Sequence, residues 1–205
     1  MWSNLILGAG FAFAAAVQPG PFQTYLISET LSKGWRRTVP AAFAPLLSDV
    51  PIVLVSLFFL TQISPEMIRY LHLAGAAFLF YLAWGAWRSW RRGDGDQTPD
   101  PATGKRTLFK AALVNFLNPN PWLGWTLVMG PLVLKGYTEA PAHGVALLVG
   151  FYVTMIVCLI GLITLFAFAR RSGPRVRHWA LGFSVIALAG FGVFQLVLAN
   201  STSPN

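Results

Sequence analysis

The chain has 205 residues, 55% hydrophobic and 11% charged, with fifteen Lys and Arg against seven Asp and Glu and a formal net charge of +8. Soluble domains carry about 25% charged residues, and a soluble chain this short has no core large enough to hide so much apolar surface, so the composition argues against a soluble enzyme and for a lipid solvent. The single cysteine, Cys158, excludes an internal disulfide and a dithiol relay.

A spanning helix takes about 20 mostly apolar residues. Six stretches meet that requirement: 5–28, 38–60, 68–87, 109–134, 144–169 and 178–199. The first is preceded by no Lys or Arg, and its apolar run continues past the small residues Ala14, Ala15 and Ala16. It therefore reads as a helix rather than a cleaved leader. Within it stands Gln18-Pro19-Gly20-Pro21. Proline removes a backbone donor and clashes with the carbonyl four residues back, so two prolines around a glycine predict a short unwound stretch. At 1.5 Å per residue, Pro19 lies roughly 20 Å along the span, near the middle of a bilayer core.

The second span carries Asp49, flanked by Pro45 and Pro51 and preceded by Ser48. Asp49 lies roughly 16 Å in, again near the midplane. A charge there costs at least ~2.5 kcal/mol, which makes it a functional candidate that lines a cavity or finds a partner. With no Lys or Arg at its depth, reversible protonation or a cationic ligand is favoured over a fixed ion pair. The plainer reading is a structural acid bonded to amides freed by the helix breaks. The two prolines predict an irregular helix around it.

In the third span, Trp84, Trp87 and Trp90 recur every three residues among Arg88, Arg91 and Arg92, which suits interfacial anchors. His72, close to Arg69, is expected at the interface. The segment 88–107 is polar and turn-rich and reads as a flexible surface loop. The fourth span holds Asn118-Pro119-Asn120-Pro121, a second break, about 14 Å along. Asn115, one turn earlier, is placed to line the same cavity. In the fifth span, Gly150, Thr154, Cys158 and Gly161 put small residues at helical spacing, a predicted close-packing stripe. Gln195 in the sixth reads as interhelical glue, and Glu29 at the end of the first as solvated or capping.

Thirteen of the fifteen basic residues fall in 29–37, 88–110 and 170–177; only Arg69 and Lys135 fall on the other side. The positive-inside rule puts those three loops in the cytoplasm and both termini outside. The basic clusters thus report topology, with anionic lipid as a companion and no nucleic-acid readout. Each break lies in the first helix of a three-helix half, and three is odd, so the halves run oppositely across the membrane. The expected fold is an all-α integral membrane protein: six transmembrane helices as two inverted three-helix repeats, with helices 1 and 4 broken at the midplane. It forms one polytopic domain over 1–205, with a first repeat at about 4–90, a cytoplasmic loop at about 88–107 and a second repeat at about 108–200.

Unwound backbone at membrane depth is tolerated only where protein or a water-filled cavity satisfies it. The candidate binding residues are therefore Gln18, Pro19, Gly20, Pro21, Asp49, Asn115, Asn118, Pro119, Asn120 and Pro121, with Asp49 also the candidate for proton coupling. The competing reading is that the prolines only kink two helices for packing. No His/Cys cluster, glycine-rich phosphate loop or nucleophile elbow occurs in the sequence, so no cofactor, metal or enzymatic chemistry is expected.

A chain of this size with Pro19-Gly20-Pro21 in its first span, Asp49 in its second and Asn115-Phe116-Leu117-Asn118-Pro119 in its fourth resembles the LysE (lysine exporter) family of amino-acid exporters, over nearly its whole length. The resemblance implies export of amino acids or similar small metabolites across the inner (plasma) membrane, driven by proton or cation gradients, often from a homodimer. Two positions depart from the family pattern. Asn120 stands where members usually have a lysine, and Ala-Pro-Leu-Leu-Ser replaces the usual glycine-rich approach to the acid. The expected function is a secondary active transporter working by alternating access. A metal or inorganic cation exporter on the same scaffold and a non-transport membrane scaffold or enzyme are the alternatives.

Overall fold

The computed structural model describes residues 1–58, 65–92 and 102–201, and every regular element among them is helical. In chain order these are α1 (Trp2–Val17), α2 (Pro21–Lys33), α3 (Trp35–Thr38), a 3-10 stretch (Val39–Phe43), α4 (Ala44–Phe58), α5 (Pro65–Arg92), α6 (Ala102–Phe116), α7 (Pro119–Gly124), a π stretch (Trp125–Met129), α8 (Gly130–Glu139), α9 (Pro141–Arg171) and α10 (Pro174–Ser201). Proline writes much of this punctuation. Pro21, Pro65, Pro119, Pro141 and Pro174 each open a helix, at the one position where the missing N–H has no intrahelical partner to lose.

Four segments are long and apolar enough to cross a membrane: Trp35–Ser56, Glu66–Arg91, Pro141–Arg171 and Pro174–Ser201. The pair α1 and α2 supplies a fifth when taken together across its 64° bend. The sixth expected span, 109–134, is divided among α6, α7, the π stretch and α8. Large apolar side chains cover the outside: Val145, Val149, Val153 and Val157 on α9, and Trp179, Phe183 and Ile186 on α10, are all exposed. Apolar surface on that scale belongs against lipid, and the chain is a multi-pass membrane protein.

The structure corrects two boundaries. The expected loop 88–107 is helical at both ends, because α5 runs on to Arg92 and α6 begins at Ala102. Helices continue into the charged interface, where an apolarity criterion stops too early. Residues 93–101 of that loop, and 59–60 of the second expected span, lie outside the described residues. The irregularity expected around Asp49 falls a turn earlier, in the 3-10 stretch before Pro45, and α4 carries Pro51 within it.

α1 lies along α9, α5 along α10, and α4 against α6. Where α1 meets α9, a Cβ on Gly8 would collide with the Leu147 carbonyl oxygen and one on Gly150 with that of Leu5. Of the stripe expected on α9, Gly150 makes this close approach and Cys158 packs against the core, whereas Gly161 faces open space. Between α5 and α10, His72 Nδ1 and Gln195 Oε1 are 2.6 Å apart and buried. Gln195 is the interhelical tie expected; His72 is its partner rather than an interfacial residue, because α10 covers it. The basic segments meet at one end of the bundle: Arg177 Nε donates to the Leu31 carbonyl at 3.0 Å, Trp90 stacks on His178, and Gly34 abuts Arg170.

Candidate functional site

The first break leaves Gln18, Pro19 and Gly20 between α1 and α2. The freed carbonyls of Ala15 and Ala16 find a donor in the Gln23 side chain, at 3.1 and 3.4 Å. At the second break the Asn118 side chain caps α7 by accepting from the Asn120 N–H at 3.1 Å, and Trp122 Nε1 donates to the Phe116 carbonyl at 2.7 Å. Both interruptions are thus built, with side chains supplying the hydrogen bonds that lipid cannot. From Pro119 the chain stays helical to Glu139, with the π stretch in the middle. Such segments re-aim side chains and are frequent at functional sites.

The two breaks face one cavity of about 160 Å³. Of the candidate residues, Gln18, Pro19, Gly20, Asp49, Asn115, Asn118, Asn120 and Pro121 line it. Pro21 and Pro119 do not: they are buried at the first positions of α2 and α7 and set where each helix restarts. Three elements far apart in sequence, the α1–α2 break, α4 and the α6–α7 break, thereby share one wall.

Asp49 is 3% exposed. Asn115 Nδ2 donates to its Oδ1 at 2.9 Å and to Ser48 Oγ at 2.8 Å, and Ser48 in turn donates to the Ala44 carbonyl at 3.0 Å. The side chains of Trp125 and Tyr152 also stand beside the Asp49 carboxyl. The acid is held by the amide of Asn115 from α6 and surrounded by neutral side chains of the π stretch and α9. It sits in no ion pair among the described residues. Five carboxamides surround the space: Gln18, Gln23, Asn115, Asn118 and Asn120. Phe11, Phe151, Met129 and Met155 supply its apolar walls.

Trp125, Tyr152 and Gln23 escape a reading of the sequence by spans. Trp125 and Tyr152 resemble ordinary apolar filling, and only their polar atoms, which need partners when buried, signal more. Gln23 lies beyond the proline break, where its role depends on the chain turning back.

Toward the basic end α2 and α6 are tied together. Thr107 Oγ1 on α6 donates to Glu29 Oε2 on α2 at 3.0 Å, and Glu29 also pairs with Lys33. Tyr25 OH donates to the Thr107 carbonyl at 3.4 Å, with both residues buried. Glu29, expected to be solvated or capping, is a tie between two helices.

A family model described as LysE type translocator matches residues 13–199, which include both breaks, Asp49 and most of the helical framework. No curated protein and no solved structure matches the chain.

Proposed function

The chain belongs to the LysE type translocator family, and we propose that it is a secondary active transporter that exports amino acids or similar small metabolites from the cytoplasm, coupled to protons. The observation that carries this reading is a buried carboxyl in a cavity lined by both interruptions of the chain. Asp49 takes and releases the coupling proton. A carboxyl held by neutral donors changes charge without breaking a salt bridge, and its charged form is tied to whether the cavity is wet or dry.

The same cavity suits a small dipolar solute. Carboxamides both donate and accept, so Gln18, Asn118 and Asn120 have N–H groups to meet a carboxylate, while Gln23 and Asn115, whose N–H groups are already bonded, offer their oxygens to an ammonium. The N-terminus of α2 opens at Gly20, on the cavity wall, and its positive dipole end favours the carboxylate of the solute. The aromatic and thioether walls receive an apolar side chain. A metal exporter calls for a denser ligand set, and no group of three or more His, Cys, Asp or Glu stands together among the described residues.

Helix packing supports two inverted halves that rock around the site. Exchanging the halves carries the contact of α1 with α9 onto that of α4 with α6. It carries α2 with α10 onto α5 with α6 and α7, and it returns α5 with α10 to itself. In this reading α3 and α4 form one span and α6 to α8 another, giving six. The basic end is cytoplasmic by the positive-inside rule. The tie of Tyr25, Glu29 and Thr107 is then the closed cytoplasmic gate of one access state.

The test uses proteoliposomes carrying an imposed pH gradient and a panel of amino acids. The wild type moves at least one solute up its gradient. Asp49→Asn keeps an acceptor for Asn115, stays folded, and loses gradient-driven movement. Undiminished gradient-driven transport by Asp49→Asn removes Asp49 from coupling, and a wild type that moves metal ions but no organic solute favours the cation-exporter reading.

A further inference from the structure

A second polar cavity, of about 190 Å³, lies at the basic end between α2, α5 and α6, away from Asp49. It contains Lys33, Arg88 and Lys110 against a single carboxylate, Glu29, which Lys33 already neutralises. Among the described residues the partners of the other two cations are aromatic. The Arg88 guanidinium lies 5.7 Å from the ring centre of Trp84. Lys110 Nζ lies 4.9 Å from that of Tyr81 and donates to its hydroxyl at 3.3 Å. Arg88 comes from α5 and Lys110 from α6, two helices that touch only slightly although the chain connects them. The wedge between them is therefore open sideways. Its rim is Tyr81 and Trp84, 56% and 55% exposed and flanked along α5 by Trp87, the girdle expected where a helix leaves the hydrocarbon.

We propose that this wedge is a binding site for the phosphate head of an anionic phospholipid, with Arg88 and Lys110 on the phosphate and an acyl chain lying along Tyr81 and Trp84. The two cations converge from different helices on a space that opens toward lipid, and neither is used by an acid among the described residues. A basic pocket between helices at the level of the aromatic girdle is the arrangement that holds an acidic headgroup. The rim of exposed rings favours a lipid over a soluble anion, because a free phosphate gains nothing from apolar surface. The site does not depend on the transport reading, only on the chain lying in a membrane.

Native mass spectrometry of the purified protein, offered equal amounts of phosphatidylglycerol and phosphatidylcholine in neutral detergent, tests it. The wild type retains phosphatidylglycerol preferentially. The double variant Arg88→Gln/Lys110→Gln loses that preference by roughly thirtyfold, the weight of two interfacial cations. The charge-matched variant Lys105→Gln/Arg106→Gln, altered at exposed residues outside the wedge, keeps it. Arg88 is itself exposed, so Arg88→Gln alone, with roughly a fivefold loss, serves if the double variant does not fold. Equal retention of the two lipids by the wild type overturns the proposal. So does an equal loss in both double variants, and so does displacement of the lipid by millimolar glycerol phosphate, which identifies a soluble-anion site.

Discussion

Asp49 costs free energy to bury, and the protein offsets that cost with the Asn115 amide and other neutral polar side chains rather than a counter-charge. The distinction matters chemically. A counter-charge would lock the carboxylate in one state, whereas neutral donors hold its position without fixing its charge, as the proposed coupling role requires. Asn115 has the most work to do, since its single amide group serves both Ser48 and Asp49. Asn115→Ala leaves a buried acceptor short of a partner, at about 1–3 kcal/mol. The expected outcome is a lower melting temperature in detergent and impaired solute binding. A variant that melts like the wild type would show that the acid is held without it. Asp49 and Asn115 are both legible in the sequence, one as an intramembrane acid and the other by its place one turn before a break. Trp125 and Tyr152 are not, because an aromatic residue in an apolar span carries no local sign of what its polar atom meets.

Helices here are set by where they stop. Proline at the first position of α2 and α7 ends the preceding helix and starts the next, so the breaks are legible in sequence with nearly their true limits. What holds α1 in place is less legible. Gly8 and Gly150 let two backbones approach to a distance that no side chain permits. Gly150→Val should destabilise the protein by at least the ~1–3 kcal/mol typical of overpacking, while Gly161→Val, facing open space, should be neutral. Chemical denaturation in mixed micelles measures both. Equal effects would mean that the α1–α9 crossing contributes little. Nothing in the sequence separates the two glycines of α9, since both lie on small-residue spacing and the difference lies in the partner helix.

At the scale of the whole molecule, charge and apolar surface are sorted along different directions. Basic residues collect at one end, where Arg177 reaches the Leu31 carbonyl and Trp90 stacks on His178, and apolar side chains cover the flanks. Sidedness is the property most open to direct measurement. With Cys158 replaced by Ala, a cysteine at exposed Thr138 should react with a membrane-impermeant maleimide on intact cells, and one at exposed Lys105 only after permeabilisation. The opposite pattern would invert the molecule in the membrane. The closed tie at the basic end gives a further expectation. Thr107→Val removes the hydroxyl that Glu29 accepts from, which should shift the population toward the state open at that end. A cysteine at Asn115 should then become more reactive from the cytoplasmic side than it is with Thr107 intact.

The sequence by itself determines a membrane chain, the order of its apolar segments, the two proline breaks and the buried acid, because each is written in local composition or in backbone chemistry that no fold can alter. Only the tertiary structure decides that the breaks and Asp49 face one cavity, that Asn115 bonds the acid, that His72 belongs to Gln195, and that Glu29 ties α2 to α6. These are meetings between residues up to more than a hundred positions apart. Periodicity fixes which face of a helix a residue occupies, but the identity of whatever packs against that face depends on how the helices cross.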